Sequence, residues 1–235
     1  MSEWKLKRFW TKAGVAHIEG GWSVTLDGRP VRTPAKNLLT ISRQALAEVV
    51  AAEWDAQDGD VDPGAMPFTR LANSAQDKVA VQHNAVTALL AEYGGSDLLC
   101  YRAQTPQELV ERQALAWDPL LEWIAKTQNV ILEVQSGIMP VQQPQTSLTK
   151  IHELTEAMSP TVLTGFHDLV SISGSWVIGY AAVSGAYAPE ALWDVAHVDE
   201  IWQAEQWGDD DEATEMLAVK RQSFMDAFQF TQLGA

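Results

Sequence analysis

The side chains able to do chemistry are few and scattered. Five histidines, His17, His83, His152, His167 and His197, stand apart, and no H-E-x-x-H run puts two of them on one helical turn. A zinc site needs three or four ligands at close spacing. The nearest approach is His197 with Glu200, three apart on one helix face, a spacing that metal sites use in pairs. No second pair accompanies it, so packing or a surface role fits those residues better. The single cysteine, Cys100, lies in the run Asp97-Leu98-Leu99-Cys100-Tyr101, where a thiol packs as a small inert hydrophobe. There is no G-x-S-x-G elbow and no G-x-x-x-x-G-K-[ST], and Gly20-Gly21 lacks the following helix that a phosphate loop needs. Acids are abundant, so no pair can be singled out for hydrolysis. A carboxylate-based acid/base hydrolase is the alternative class, and it requires a concave pocket holding two acids with raised pKa values. No catalytic, metal, cofactor or nucleotide site is expected.

What remains is a surface. The run from Pro189 to Trp207 reads as one helix. Leu192, Val195, Val198 and Trp202 share one face of it, and Trp193, His197, Glu200, Ala204 and Trp207 share the other. Such a helix is either buried on both sides or a docking surface, since aromatic residues anchor interfaces and a central acid can pair with an arginine. Asp199 falls near the core face, where it could hold an internal polar contact. Of the ten tryptophans, Trp10, Trp117, Trp123 and Trp176 read as packing residues.

The elements that must position this helix change character along the chain. Val15–Glu19 and Trp22–Leu26 read as strands joined at Gly20-Gly21, with Trp22, Val24 and Leu26 alternating against polar partners. Asp27-Gly28 signals a second tight turn into a short edge strand, Arg29–Thr33. From Ser42, placed to cap, the spacing of Ala45, Leu46, Val49, Val50 and Trp54 is helical. A loop over Asp58–Gly64 precedes a second helix from about Thr69 to Tyr93 that Gly94-Gly95 stops. Thr105-Pro106-Gln107-Glu108 reads as a capping box, and Asp118-Pro119 as a kink or restart. Residues 129–141 read as extended and could return to the N-terminal sheet. Ser147 and Ser159-Pro160 read as caps, and Asp209-Asp210-Asp211-Glu212 opens the last helix. The expected fold class is α+β: a β-rich N-terminal domain over 1–80 with one or two helices, then a mainly helical bundle over 81–235.

Bulk properties bound the partners. The 235 residues are 46% hydrophobic and 20% charged, a globular composition, and one cysteine permits no internal disulfide. Leu169–Pro189 carries no charge but is broken by seven Ser and Gly residues, so it reads as a buried helix rather than a membrane span. The net charge of −15 disfavours nucleic acid and anionic lipid as partners. Charge is uneven: residues 1–36 hold seven Lys/Arg and three acids, whereas 190–215 hold ten acids and neither Lys nor Arg. Met1–Arg8 carries basic residues without the apolar run of a secretory signal, and the expected location is cytoplasmic.

Several runs resemble a known family. They are Arg8-Phe9-Trp10 with Leu26-Asp27-Gly28-Arg29-Pro30-Val31-Arg32-Thr33-Pro34-Ala35-Lys36; Glu53-Trp54-Asp55-Ala56-Gln57; and Met66-Pro67-Phe68-Thr69-Arg70-Leu71-Ala72-Asn73-Ser74-Ala75. To these add Asp97–Ala103, Trp117–Leu121, and Asp199-Glu200-Ile201-Trp202-Gln203 with Trp207-Gly208. They cover nearly the whole chain in order. The family is that of the F-type ATP synthase assembly chaperones specific for the alpha subunit, found in mitochondria and alphaproteobacteria. The resemblance implies a β-rich N-terminal domain with an orthogonal helical bundle. It implies binding of the unassembled alpha subunit, whose interface for the beta subunit is masked until the beta subunit takes its place. It places eukaryotic relatives in the mitochondrial matrix and this chain in a bacterial cytoplasm. An acidic residue in the C-terminal region carries function in the family and aligns with Asp199 or Glu200; the helical wheel favours Glu200. The implied partner-binding set is Glu200, Asp199, Trp193, His197 and Trp207, with no membrane insertion. The stretch Gly174–Tyr180 departs from the more aliphatic family pattern. The motifs also have plain structural roles: a tight turn at Asp27-Gly28, a buried Trp54 flanked by solvated acids, and a polar network between domains from Arg70, Asn73 and Asp77.

Overall fold

The structure, a computed structural model, describes residues 7–208 and 211–235. Most of Met1–Arg8, read for a leader, lies outside them. The chain divides into two compact units. The first runs to Gln82 and is joined by Ser159–Thr164 and Gln229–Ala235; the second comprises His83–Met158 and Gly165–Phe228.

In the first unit, strands β1 (Ala13–Ile18), β2 (Gly21–Leu26) and β3 (Arg29–Pro30) form one antiparallel sheet in that order. Leu26 pairs with Arg29 across Asp27-Gly28, which have φ of 48° and 79°. Two positive φ values make the I′-type turn that matches strand twist. The Asp27 carboxylate also accepts the N–H groups of Lys12 and Thr11, which hold it below the usual carboxylate range. The first hairpin differs from expectation. Ile18 pairs with Gly21, so the turn is Glu19-Gly20 and Gly21 belongs to β2. Gly21 is needed for another reason: a Cβ there would collide with the Ile41 carbonyl.

Helix α1 (Gln44–Asp55) lies on β1 and β2, burying Leu46, Ala47 and Val50 against Val24, Leu39 and Ile41. Its N-cap is Arg43, without a side-chain cap bond, rather than Ser42. Glu53 is not solvated. Its carboxylate accepts the N–H groups of Phe68 and Thr69, both at 2.7 Å, and the Thr69 hydroxyl at 2.6 Å. It thereby satisfies the orphan donors and positive end of α2 (Pro67–Ser74). The chain continues through a wide turn, Ala75–Val79, and Asp77 there accepts Thr33, Ala35 and Asn37. That network ties one unit to itself instead of linking domains. The sheet is small beside these helices, so the class is α+β but the N-terminal part is less β-rich than expected.

The second unit contains α3 (His83–Ala91), short helical turns at Glu92–Gly95 and Leu98–Cys100, β4 (Tyr101–Arg102) and α4 (Gln107–Gln128). It continues with β5 (Gln135–Ser136), α5 (Gln145–Glu156), α6 (Pro160–Ser173), α7 (Trp176–Val183), α8 (Pro189–Ala196), α9 (Val198–Trp207) and α10 (Asp211–Gly234). Helices α6 and α10 each give one end to the first unit. Among the described residues no helix is long and apolar enough to cross a membrane. Asp209 and Asp210, read as part of the last helix's start, lie outside the described residues.

Several local expectations change here. Pro106 is the N-cap of α4, one position past the predicted Thr105 cap. Helix α4 runs through Pro119 without a restart. The carbonyl that proline leaves unpaired belongs to Leu115, which is 82% exposed, so water can satisfy it. Asn129 ends α4 in the left-handed region, and the following segment does not reach the N-terminal sheet: β5 pairs in parallel with β4. Ser147 lies inside α5, where its hydroxyl donates to Ile131 O and accepts Ile131 N–H. Ser159 does cap α6, accepting Val162 N–H at 3.3 Å. The aromatic Gly174–Tyr180 stretch has clear partners: Trp176 is fully buried, donates to Thr155 at 2.9 Å and stacks on Tyr180 at 4.8 Å. Trp10 and Trp117 are buried as expected; Trp123 is half-buried against Tyr180 and Tyr187.

Candidate functional site

The predicted single helix over 189–207 is two helices. His197, at φ −117° and ψ 28°, separates α8 from α9. Its ring lies 3.7 Å from that of Trp193, and Nδ1 is 2.9 Å from the Trp193 carbonyl. A carbonyl only accepts, so Nδ1 carries the proton. Both residues are 4% exposed. The break removes Trp193 and His197 from the outer face. They pack the bend and leave little surface for a partner.

The remaining expected residues separate cleanly on α9. Val198 is buried, and Asp199 and Glu205 reach α4. Glu200, Gln203 and Trp207 fall within about 60° of one another on another side. Glu200 is exposed, and no hydrogen bond or ion pair holds it among the described residues. Trp207 is 75% exposed, its ring edge-on to Trp202 at 5.8 Å. An indole this exposed loses apolar stabilisation that a partner could restore.

Helix α4 holds the end of α8 and the start of α9 from behind. Trp117 donates its indole N–H to Val195 O at 2.8 Å, Gln113 donates to Asp199 at 2.7 Å, and Arg112 pairs with Glu205 at 2.8 Å. Gln113 is 2% exposed, and its own carbonyl accepts Ala103 N–H at 2.8 Å. Asp199 is therefore an internal tether and Glu200 the outward acid. Gln113 was not among the expected residues. Its signal was a polar side chain on the stripe Gln113, Trp117, Leu120, Ile124, which is otherwise the apolar face of α4.

The other reactive groups are structural. Asp97 is fully buried and accepts Ser175 Oγ at 2.8 Å and the N–H groups of Val177 and Leu99 at 3.0 Å. Burial pushes its carboxyl up to about 6 against the pull of those bonds. Its oxygens are engaged at the start of α7, leaving nothing to face a substrate, so it lends no support to a hydrolase. Cys100 is fully buried, and burial pushes its thiol up to about 12. No group of three or more His, Cys, Asp or Glu residues suited to a metal ion occurs among the described residues.

An outward acid and an exposed indole thus share one side of a helix that is braced from behind, on an α+β scaffold. Residues 7–125 match the family described as ATP12 chaperone protein. The chain belongs to that family, the ATP synthase assembly chaperones of the resemblance. It is similar to Atp12 from Paracoccus denitrificans, with 43% identity, a TM-score of 0.95, and 99% of this chain and 100% of that chain covered. A mutant of the same P. denitrificans protein, carrying lysine for an aspartate, matches with a TM-score of 0.96 and 43% identity over 100% of both chains. The mitochondrial protein atp12 of Schizosaccharomyces pombe is 24% identical over 222 residues, 89% of this chain and 76% of the relative.

Proposed function

We propose that this chain binds the unassembled alpha subunit of the F-type ATP synthase through the outer face of α9, centred on Glu200 and Trp207, and covers its interface until the beta subunit replaces it. The observation that carries the reading is Trp207, left exposed about two turns along α9 from the outward Glu200, on a helix tied to α4 through Asp199 and Glu205. Free subunits of an obligate complex expose apolar surface that aggregates. A binder that covers this surface needs no nucleotide site if the next subunit competes it away. The run of acids over 190–215 steers a basic partner toward the face and raises the association rate at low salt. The reading places the protein in the bacterial cytoplasm, where the alpha subunit is made.

Glu200→Lys is expected to weaken capture of the alpha subunit about 10-fold or more, with unchanged circular dichroism and melting temperature, because the side chain supports nothing internal. Trp207→Ala should weaken it comparably, by removing an aromatic anchor. Co-purification of co-expressed alpha subunit measures both. Normal capture by a normally folded Glu200→Lys protein would move the site elsewhere; failure of the unmodified chain to retain the alpha subunit would end the reading.

A further inference from the structure

On the α4-facing side of α9, the second unit has an open groove of about 220 Å³ between α4 and the α8–α9 bend, lined by Arg112, Ala116, Asp194, Val195, Val198 and Ile201. Resting on the reading above, we propose that this groove seats one aliphatic side chain of the alpha subunit, with a neighbouring Lys or Arg of the same segment on Asp194.

The floor is apolar. Val198 is buried, and Ala116, Val195 and Ile201 are half-buried, so their remaining surface faces solvent. A cavity on the order of 150 Å³ lined by aliphatic groups takes a benzene-sized group, so 220 Å³ suits a single side chain and not a cofactor. Leu115, 82% exposed, stands next to Ala116 on α4 and extends the apolar surface outward.

Charge selects the occupant. The one cation lining the groove, Arg112, is already paired with Glu205. Asp194 is exposed, and its carboxylate has no hydrogen bond or ion pair among the described residues. Glu200 lies one residue from Ile201 on the same helix. A purely apolar segment would leave Asp194 desolvated and unmatched, which is costly. A basic residue beside the aliphatic anchor pairs with it instead. The groove and the Glu200–Trp207 face lie on different sides of α9, so they would read separate parts of the partner.

The test titrates purified alpha subunit against the full chain and two variants. Ala116→Phe fills the groove from a half-buried position; Asp194→Lys reverses the rim charge at an exposed one. Ala116→Phe is expected to weaken binding about 10-fold at any salt concentration, since the lost contact is apolar. Asp194→Lys is expected to weaken it chiefly below about 100 mM salt, with a flatter salt dependence. Melting curves check that each variant is folded; should Ala116→Phe not fold, Asp194→Lys decides alone. Unmodified protein that binds while both folded variants bind equally well overturns the groove proposal and leaves the chaperone reading intact. No binding by the unmodified protein overturns both.

Discussion

Asp97→Ala is expected to destabilise the protein by about 2–4 kcal/mol, lowering its melting temperature by on the order of 10 °C. The carboxyl is fully buried, and the change leaves the N–H groups of Val177 and Leu99 and the hydroxyl of Ser175 without their acceptor. Each unsatisfied buried donor costs roughly 1–3 kcal/mol, offset in part because the change also removes the cost of burying the carboxylate. The start of α7 is where the damage falls. Ser175 caps that helix by accepting Ile178 N–H, and Asp97 holds Ser175 in turn. Asp97→Asn should recover part of the loss, since its carbonyl oxygen can still accept Leu99 N–H and the Ser175 hydroxyl while the amide nitrogen faces Val177 N–H.

Acid dependence separates this role from simple packing. The Asp97 pKa stands at about 6 in the fold and near 3.8 in the unfolded chain, so the folded protein binds the proton more tightly. Where the native state holds more protons, stability falls as pH rises. The unmodified protein should lose up to about 3 kcal/mol of this contribution between pH 4 and pH 6. The alanine variant lacks that titration. The gap in stability between the two should therefore be widest near pH 4 and narrower above pH 6. Other acids contribute alike to both chains and cancel in the difference. Denaturant midpoints at pH 4, 5, 6 and 7 measure it; a gap that stays constant would mean that Asp97 titrates normally.

How legible this was from residues alone depended on whether one physical cause acted at each position. Asp27-Gly28 was read correctly because both residues tolerate positive φ and nothing else competes for them. Gly20-Gly21 misled because its two glycines serve different needs, one the turn and one the close approach of the Ile41 carbonyl. No restart occurs at Pro119 because the cost of proline in a helix depends on whether the orphaned carbonyl meets water, and exposure is a tertiary property. Residues 129–141 read as extended, but only Gln135–Ser136 form a strand, and periodicity does not name its partner. At the candidate site the outward position of Glu200 was predictable from a ten-residue wheel. The burial of Trp193 and His197 was not, since their stacking bends the chain and resets the wheel. Glu53 looked like a solvated acid because its three donors lie fifteen and sixteen residues away.

Gln113 supplies the sharpest test of how the docking helix is held. Its amide is the single link from Ala103, beside the β4 strand, through α4 to Asp199 on α9. Gln113→Leu keeps the volume and removes both bonds, and is expected to cost about 1–3 kcal/mol. Asp199 is only half-buried, so water can recover part of the loss there. Gln113→Glu retains the acceptor for Ala103 N–H but sets a carboxylate against Asp199 where an amide N–H stood. Like charges at hydrogen-bond distance in a buried position cost more than a missing bond, about 3–5 kcal/mol. At pH 7.5 the glutamate variant should therefore melt below the leucine variant. Lowering the pH should reverse the order. Burial and the like charge both raise the introduced carboxyl's folded pKa, so its penalty is present at high pH and is relieved as the pH falls through that value. Protonated, it donates to Asp199 much as the amide does. Alpha-subunit capture should follow the same order, because α9 loses its tether while Glu200 and Trp207 stay chemically intact. If the two variants melt alike at both pH values, Gln113 does not bridge Asp199, and α9 is held to α4 without that bond.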